Sequence, residues 1–128
     1  MDLPDRMNES WKIQNEVSVL GFDWPGIEGV LAKVKEEVGE IEEALLRDDE
    51  AQAREELGDL FFAVVNLARF LDVHPSDAMH SANEKFRRRF AIVEEIVLSR
   101  KIEMRRCSLE ELDAIWDEVK RSEQGGKK

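Results

Sequence analysis

The sequence predicts an all-α fold, a helical bundle of about five helices. Three observations support this prediction. Apolar residues recur at helical spacing in several segments, no segment alternates apolar and polar residues as a strand would, and turns at 48–49 and 72–75 separate the segments. With 128 residues, the chain is long enough for one domain with a substantial core. We expect that domain to span 1–121 and the tail, 122–128, to be disordered.

The first predicted helix, around 4–20, ends at Gly21, and the Trp24-Pro25 pair lies in the loop that follows. Met7, Trp11 and Gln14 share one face of this helix. We expect Trp11 and Trp24 to lie in the core or at a dimer interface rather than to stack on a base.

The second predicted helix contains the acidic motif EEVGE at 36–40. Glu37 borders the apolar stripe of this helix closely, and Glu40 lies further round the same flank, whereas Glu36 is predicted to point to solvent. The stripe follows the period of a helix and consists of Ile27, Val30, Leu31, Val34, Val38, Ile41 and Leu45.

The third predicted helix, around 50–72, is apolar almost all the way round beyond Leu57, which is typical of a buried helix. Asp59 and Asn66 are therefore predicted to face protein. Because burying an unpaired carboxylate is costly, Asp59 must find a partner, become protonated or bind a metal. Gly58 costs about 1 kcal/mol relative to Ala inside a helix, which close packing or a ligand would explain.

The fourth predicted helix, around 75–100, carries a compact basic cluster formed by Lys85, Arg88 and Arg89. Lysine and arginine at this spacing suit phosphate oxygens. Pairing with nearby acids or plain exposure to solvent is the more common fate of basic runs, so the phosphate site is an interpretation that the acidic motifs favour. The last predicted helix opens at a capping box formed by Ser108 and Glu111.

Two carboxylate pairs give the strongest functional signal. Glu37 and Glu40 are three residues apart, as are Glu56 and Asp59, so each pair presents its carboxylates to one side of its helix. On facing helices these groups would form a cluster that repels itself unless cations fill it. Mg²⁺ prefers such oxygen ligands together with substrate phosphates. Spacing alone leaves metal binding and a structural ion pair equally open.

Composition limits the kinds of partner. A formal charge of −10 disfavours binding to long nucleic acid, whereas a small triphosphate can arrive with Mg²⁺ at a local basic patch. The sequence shows no signal peptide and no long apolar run, and its single Cys107 cannot form an internal disulfide. We therefore expect a cytoplasmic protein that does not contact membranes, and we assign Cys107 no catalytic role.

Several linked motifs resemble the MazG-type nucleoside triphosphate pyrophosphohydrolases, specifically their C-terminal-type catalytic domain. The resemblance runs from about 13 to 120 and includes GFDW at 21–24, KVKEEVGEIEEAL at 33–45, EELGDLFFAVVNLARFL at 55–71, ANEKFRRRF at 82–90 and a late Trp116. It implies an all-α bundle, usually dimeric, that converts a nucleoside triphosphate and water to the monophosphate and pyrophosphate. Mg²⁺ is the implied cofactor, with Mn²⁺ as a substitute. The sequence contains one such domain, whereas two-domain members carry a second copy upstream.

The resemblance also implies roles for individual residues. The four carboxylates of the two pairs would be the Mg²⁺ ligands, and the basic cluster would contact phosphates. Lys33 and Glu36 would lie beside the nucleotide and Trp116 near its base. We expect water to attack the α-phosphorus in one step, because the chain offers no Ser/His/Asp set for a covalent intermediate. Glu36 or Glu37 would accept the proton, and spacing does not choose between them.

Two other classes of protein compete with this interpretation. A carboxylate-bridged redox bundle needs Glu-x-x-His motifs on two helices, and the chain offers only the related run from Asp77 to His80. A non-catalytic interaction protein would carry the acidic motifs as solvated faces.

We also predict an obligate homodimer, or a higher homo-oligomer, in which dimerisation completes a four-helix core. The helices carry more apolar surface than one small bundle can cover. The candidate anchors of the interface are Trp11, Trp24 and Phe70.

Overall fold

The computed structural model describes residues 5–125 and is all-helical over that range, which confirms the predicted fold class. It has five α-helices and one turn of 3₁₀ helix, with no strand among the described residues. The helices are α1 (Arg6–Val19), α2 (Ile27–Leu46), α3 (Glu50–Phe70), α4 (Pro75–Ser99) and α5 (Leu109–Gly125), and the 3₁₀ turn spans Met104–Arg106. None of the helices in this range has the length and hydropathy of a membrane span.

Side-chain caps fix several helix starts. The Asp5 carboxylate accepts from the backbone N–H of Asn8 at 2.9 Å, and Asp49 accepts from that of Gln52 at 3.0 Å. At α5 the N–H of Glu111 donates to Ser108 Oγ at 3.1 Å, while the Glu111 carboxylate lies 3.2 Å from the same hydroxyl oxygen. The predicted capping box is therefore present.

The turns between helices contain aspartates in the left-handed region. Asp48 and Asp72 follow the ends of α2 and α3 with φ of 54° and 55°. A short polar side chain tolerates this conformation better than a bulky or β-branched one. The sequence placed the inter-helix turns at these two positions, and the structure agrees.

The chain falls into two compact units that divide between Met79 and His80, inside α4. In the first unit, α2 packs along α3, and α1 also packs on α3. Its buried apolar residues are small or medium in size, so the helices approach closely. They are Val30, Ala44, Ala53, Ala63, Val65 and Ala68.

The second unit contains the rest of α4, the 3₁₀ turn and α5. Its core is formed by Val93, Val97, Ile115 and Val119. An ion pair of 2.8 Å also joins Arg100, the residue after α4, to Glu118 on α5. The helix α5 continues to Gly125 and so includes the start of the tail that was predicted to be disordered, while 126–128 lie outside the described residues.

The prediction that α3 is buried all round is wrong. Leu57, Phe61, Phe62 and Val64 are each between 38% and 52% exposed, and Asp59 is exposed as well. The apolar pattern was interpreted as burial, but α1 and α2 cover only part of the circumference of α3. The remaining apolar side chains face solvent in the isolated chain.

Candidate metal centre and substrate cleft

Three of the four predicted ligands meet between α2 and α3. Glu37 on α2 is 3% exposed and Glu56 on α3 is 8% exposed, while Asp59, one turn further along α3, is open to solvent. One carboxylate oxygen from each lies within 4.8 Å of the others. The i, i+3 spacing on α3 and the close packing of α2 on α3 bring these groups together.

Glu40 completes the cluster through Glu56. Its interaction with the Glu56 carboxyl, with burial and the negative charge of Glu37, raises the pKa of Glu40 from its usual 4.5 to about 7. A cation held between the carboxylates would offset this repulsion.

Two buried oxygens of the cluster are left without a donor. Glu37 uses Oε1 to pair with Lys33 at 3.1 Å, and Glu56 uses Oε1 to accept from Gln52 Nε2 at 2.6 Å. The second oxygen of each, Oε2, has no hydrogen-bond donor within the part of the chain that the structure describes. Buried polar atoms are nearly always paired, so these two oxygens fit a hard divalent cation, which takes oxygen ligands.

Lys33 lies beside the cluster, as the resemblance implied. Its Nζ is 3.1 Å from Glu37 and 3.4 Å from Glu36, and the hydrogen bond to Glu37 is the main cause that raises the pKa of Lys33. The lysine therefore stays charged. Glu36 is exposed and contacts this ammonium group.

A cleft of about 800 Å³ opens beside the cluster. This volume falls in the range of small-molecule and cofactor sites. Its lining runs along one face of α3, from Asp59 through the apolar residues Phe62 and Ala63 to Asn66 and Arg69. The side chains on its other walls come from α1, α2 and the 21–24 loop, and are Ile13, Gln14, Val17, Phe22, Asp23, Trp24, Lys33 and Glu37.

Arg69 organises the end of the cleft opposite the carboxylates. Its side chain is 9% exposed and pairs with both oxygens of Asp23, at 2.8 and 3.1 Å. It also donates to Asn66 Oδ1 at 2.7 Å and to Asn15 Oδ1 at 3.3 Å. The hydrogen bond from Arg69 holds the pKa of Asp23 below its usual 3.8. A bidentate pair of this kind ties the loop to α3.

Trp24 is fixed in the same loop by a glycine on α2. A Cβ added to Gly29 would lie 2.9 Å from Trp24 Cε3, so only a residue without a side chain lets the indole lie on the helix here. Gly58 differs, because a Cβ there would meet nothing within 4 Å. Of the two explanations offered for Gly58, close packing is therefore wrong, and a ligand remains a prediction.

Sequence reasoning missed the roles of Gln14, Asp23 and Arg69 in the cleft. Asp23 and Arg69 belong to two of the motifs that carry the family resemblance, but the sequence predicted no role for either residue. Gln14 was predicted only to share a helix face with Met7 and Trp11. The partners of Gln14, Asp23 and Arg69 lie 46 to 54 residues away along the chain, so no local spacing connects them. The one signal in the sequence that connects Asp23 with Arg69 is that both lie in motifs of the same family resemblance.

The remaining predicted site residues belong to the second unit. Lys85 and Arg88 are exposed and make no ion pair with the described residues. Arg89 instead pairs with Glu123 at 2.9 Å. Trp116 packs on Phe86 with a centroid distance of 5.4 Å and lies against the core of this unit.

No histidine takes part in the carboxylate group of the described chain. His74 is occupied elsewhere in the first unit, where it packs on Trp11 at 5.0 Å and lies 2.9 Å from Asn8 Oδ1. The redox bundle, which needs histidine ligands on two helices, therefore gains no support from this site.

Comparison with known proteins places these features in a family. Residues 26–93 match the family described as MazG nucleotide pyrophosphohydrolase domain. The chain is 46% identical over 114 residues to a nucleoside triphosphate pyrophosphohydrolase of Escherichia coli K12, covering 88% of this chain and 43% of the relative. It is 40% identical over 109 residues to the nucleoside triphosphate pyrophosphohydrolase/pyrophosphatase MazG of Thermotoga maritima, covering 85% and 42%. The chain thus spans less than half the length of these curated relatives.

Proposed function

The chain belongs to the MazG nucleotide pyrophosphohydrolase domain family, and on this premise we propose that it hydrolyses a nucleoside triphosphate to the monophosphate and pyrophosphate. The observation that carries the proposal is the pair of buried oxygens on Glu37 and Glu56 that have no donor among residues 5–125, at one end of a cleft whose volume suits a small molecule. The names of the two relatives support the same activity.

The proposed cofactor is Mg²⁺, with Mn²⁺ as a substitute. Glu37, Glu40, Glu56 and Asp59 would hold it, since three of them lie close together between α2 and α3, Glu40 interacts with Glu56, and all four supply only oxygen ligands. A bound divalent cation supplies a water of lowered pKa and offsets negative charge on phosphate oxygens. Asp59, the most exposed of the four, is open to a substrate that enters from solvent.

The chemistry proposed for the chain is a single displacement. A water oxygen bonds to the α-phosphorus, the bond from that phosphorus to the bridging oxygen breaks, and the electron pair leaves with pyrophosphate. One of the adjacent carboxylates Glu36 and Glu37 accepts the proton of the water. Lys33, which contacts both, keeps a positive charge beside the reacting phosphate.

The basic cluster Lys85, Arg88 and Arg89 is proposed to contact the phosphates, and Trp116 to lie near the base. The exposure of Lys85 and Arg88 supports this proposal, because exposed cations without an acidic partner are available to an anion. Arg89 would have to leave Glu123 to join them. Arg88→Ala should weaken triphosphate turnover more than it weakens folding.

We also propose a homodimer. Leu57, Phe61 and Val64 form an exposed apolar stripe on α3 at helical spacing, and a second copy would cover it. The predicted anchors Trp11, Trp24 and Phe70 already have partners in the chain, so the stripe is the better candidate. Sedimentation equilibrium that finds an active monomer at micromolar concentration would contradict the dimer.

Hydrolysis in ¹⁸O-water tests the reaction. Pyrophosphate should be released only with Mg²⁺ or Mn²⁺, and the label should appear in the monophosphate. Label in pyrophosphate would mean attack at the β-phosphorus, and orthophosphate as the first product would mean cleavage at the γ position. Either result would refute the proposed chemistry, and the absence of any product would favour the non-catalytic interaction protein.

A further inference from the structure

Gln52, in the first turn of α3, holds one oxygen of the proposed metal ligand Glu56. Its amide nitrogen, Nε2, donates to Glu56 Oε1 at 2.6 Å. A carboxylate oxygen accepts hydrogen bonds, so the amide nitrogen and not the amide oxygen faces it. The residue Glu56 is 8% exposed, and its second oxygen, Oε2, has no donor among residues 5–125. The two oxygens of this carboxylate therefore differ, because an amide holds one of them and the other is open.

The turn between α2 and α3 leaves the side chain of Gln52 free for this bond. Asp49, the N-cap residue of α3, accepts from the backbone N–H of Gln52 at 3.0 Å. In a capping box, a glutamine at this position bonds back to the backbone N–H of the cap residue. Here the N–H of Asp49 already donates to the carbonyl of Ala44 at 2.9 Å. The Gln52 amide reaches forward to Glu56 instead.

An exposed pair on α3 shows how this bond differs from an ordinary contact within a helix. Arg54 and Glu50 are also four residues apart, with their side-chain atoms at 3.1 Å, but the two side chains are 78% and 77% exposed. Pairs of this kind contribute little to stability. The carboxylate of Glu56 is buried, and a hydrogen bond is stronger there than in water. The bond from Gln52 therefore fixes the orientation of a buried carboxylate in the proposed metal site.

The donor on Glu56 is neutral, so it orients the carboxylate without cancelling its charge. The other buried ligand, Glu37, is held differently, since its Oε1 pairs with the ammonium of Lys33 at 3.1 Å. Glu56 thus keeps its negative charge for a cation but offers one free oxygen, Oε2. Its Oε1 can bind the same cation only by weakening or losing the short hydrogen bond to Gln52.

The number of free oxygens on a carboxylate separates two hard cations. Ca²⁺ takes about six to eight oxygen ligands and accepts both oxygens of one carboxylate. Mg²⁺ is smaller, demands octahedral geometry and keeps several of its waters, so it needs few protein oxygens. A carboxylate limited to one oxygen therefore suits Mg²⁺ and is a poorer ligand for Ca²⁺.

We propose that Gln52 is a positioning residue that sets the metal selectivity of the site, because it keeps Glu56 as a one-oxygen ligand and so favours Mg²⁺ over Ca²⁺. This inference rests on the proposed function, which takes the carboxylates as the cation site. Gln52 acts through Glu56 and not by binding the cation itself. Removing its amide N–H should shift the preference of the site towards Ca²⁺.

Competition against bound Mn²⁺, followed by the electron paramagnetic resonance signal of the free ion, measures the affinities for Mg²⁺ and Ca²⁺ without turnover. Gln52→Met removes the donor at nearly the same length, and Gln52→Glu keeps the shape but replaces the donor with an acceptor. In both variants the ratio of Ca²⁺ to Mg²⁺ affinity should rise about tenfold, the lower end of the effect of losing a partner of a metal ligand.

Arg54→Met is the matched control, because it breaks an exposed pair of the same spacing on the same helix. It removes a positive charge, which acts equally on two divalent cations, so the ratio should stay at the wild-type value. General loosening of the fold would likewise weaken binding of both cations. The ratio therefore reports the role of Gln52 and not the stability of α3.

An unchanged or lowered ratio in a Gln52 variant that folds would overturn the inference. The failure of both variants to fold would overturn it too, since the amide would then be required for the fold, and so would a wild-type protein that does not bind Mn²⁺. Pyrophosphate release by the wild-type protein with Mg²⁺ separates this inference from the proposed function. An unchanged ratio with release would leave the hydrolase standing, whereas a raised ratio without release would support the role of Gln52 and refute the hydrolase.

Discussion

The two ends of the cleft are built from opposite arrangements of charge. At the carboxylate end, Glu37 and Glu56 each have a buried oxygen that no donor among the described residues contacts, and the ammonium of Lys33 pairs with Glu37. At the other end, Arg69 satisfies Asp23 with two hydrogen bonds and also binds two asparagines. The first end has the features of a cation site, while the charges of the second are paired within the chain. The difference separates a candidate ligand site from a structural clamp.

Neutralising a carboxylate at the first end should give the largest effect. It should reduce activity without reducing stability. We expect Glu56→Gln and Asp59→Asn to cut pyrophosphate release by orders of magnitude, because each removes a proposed metal ligand. The melting temperature should stay the same or rise, since a mutually repelling charge is lost. Glu55→Gln, on an exposed neighbour, is the control and should keep full turnover. Full activity of both ligand variants would contradict the difference that we describe between the two ends of the cleft.

Removing the clamp should instead reduce the stability of the fold. Arg69→Ala leaves Asp23 and the two asparagines without their donor, so we expect the free energy of unfolding in urea to drop by about 2 to 3 kcal/mol. Arg54→Ala breaks an exposed pair with Glu50 and should cost at most about 0.5 kcal/mol. The two ends would not differ as described if both arginine variants unfolded at the same urea concentration.

The clamp should also respond to pH in a defined direction. The pKa of Asp23 is lowered in the folded protein by the hydrogen bond from Arg69. A lowered pKa contributes stability above the ordinary value of 3.8, and this contribution is lost as the pH falls through the folded value. Asp23→Asn should therefore be less stable than wild type by about 1 kcal/mol at neutral pH. Urea titrations at decreasing pH should show this difference shrinking below pH 3.8; a constant difference would argue against the ionised pair.

The smallest expected changes in stability come from replacing glycines near the two ends of the cleft with alanine. A Cβ on Gly39 or Gly58, both beside the carboxylates, would meet nothing within 4 Å, so Ala at either position should stabilise the helix by about 0.5 to 1 kcal/mol. Gly29→Ala would press on the Trp24 ring, which should cancel this gain and change the tryptophan fluorescence. Urea midpoints that rise equally in all three variants would show that Trp24 is not held by Gly29.

Local patterns predicted the helices and the carboxylate pairs well. Caps at Asp49 and Ser108 mark helix starts within a few residues, and i, i+3 spacing depends only on helix geometry. The exposure of Asp59 was not predictable in this way, because an apolar pattern does not say which faces of α3 a single chain can cover.

Contacts between distant residues set the other end of the cleft. Arg69 reaches Asp23 over 46 positions and Gln14 reaches Phe62 over 48, and such pairs follow from how α1 and α3 pack. The same holds for Arg89, whose partner Glu123 is 34 positions away. Spacing within one helix carries no information about these partners, so the clamp and the bond from Gln14 to Phe62 emerge only from the structure.

Direct titration of Mn²⁺, followed by the electron paramagnetic resonance signal of the free ion, tests the central claim that the carboxylate end holds a divalent cation. The experiment needs no substrate and no turnover. We expect the wild-type protein and Glu55→Gln to bind Mn²⁺ with the same affinity, and Glu56→Gln and Asp59→Asn to bind at least tenfold more weakly, a loss of about 1.4 kcal/mol. Equal Mn²⁺ affinity in all four proteins would contradict the account.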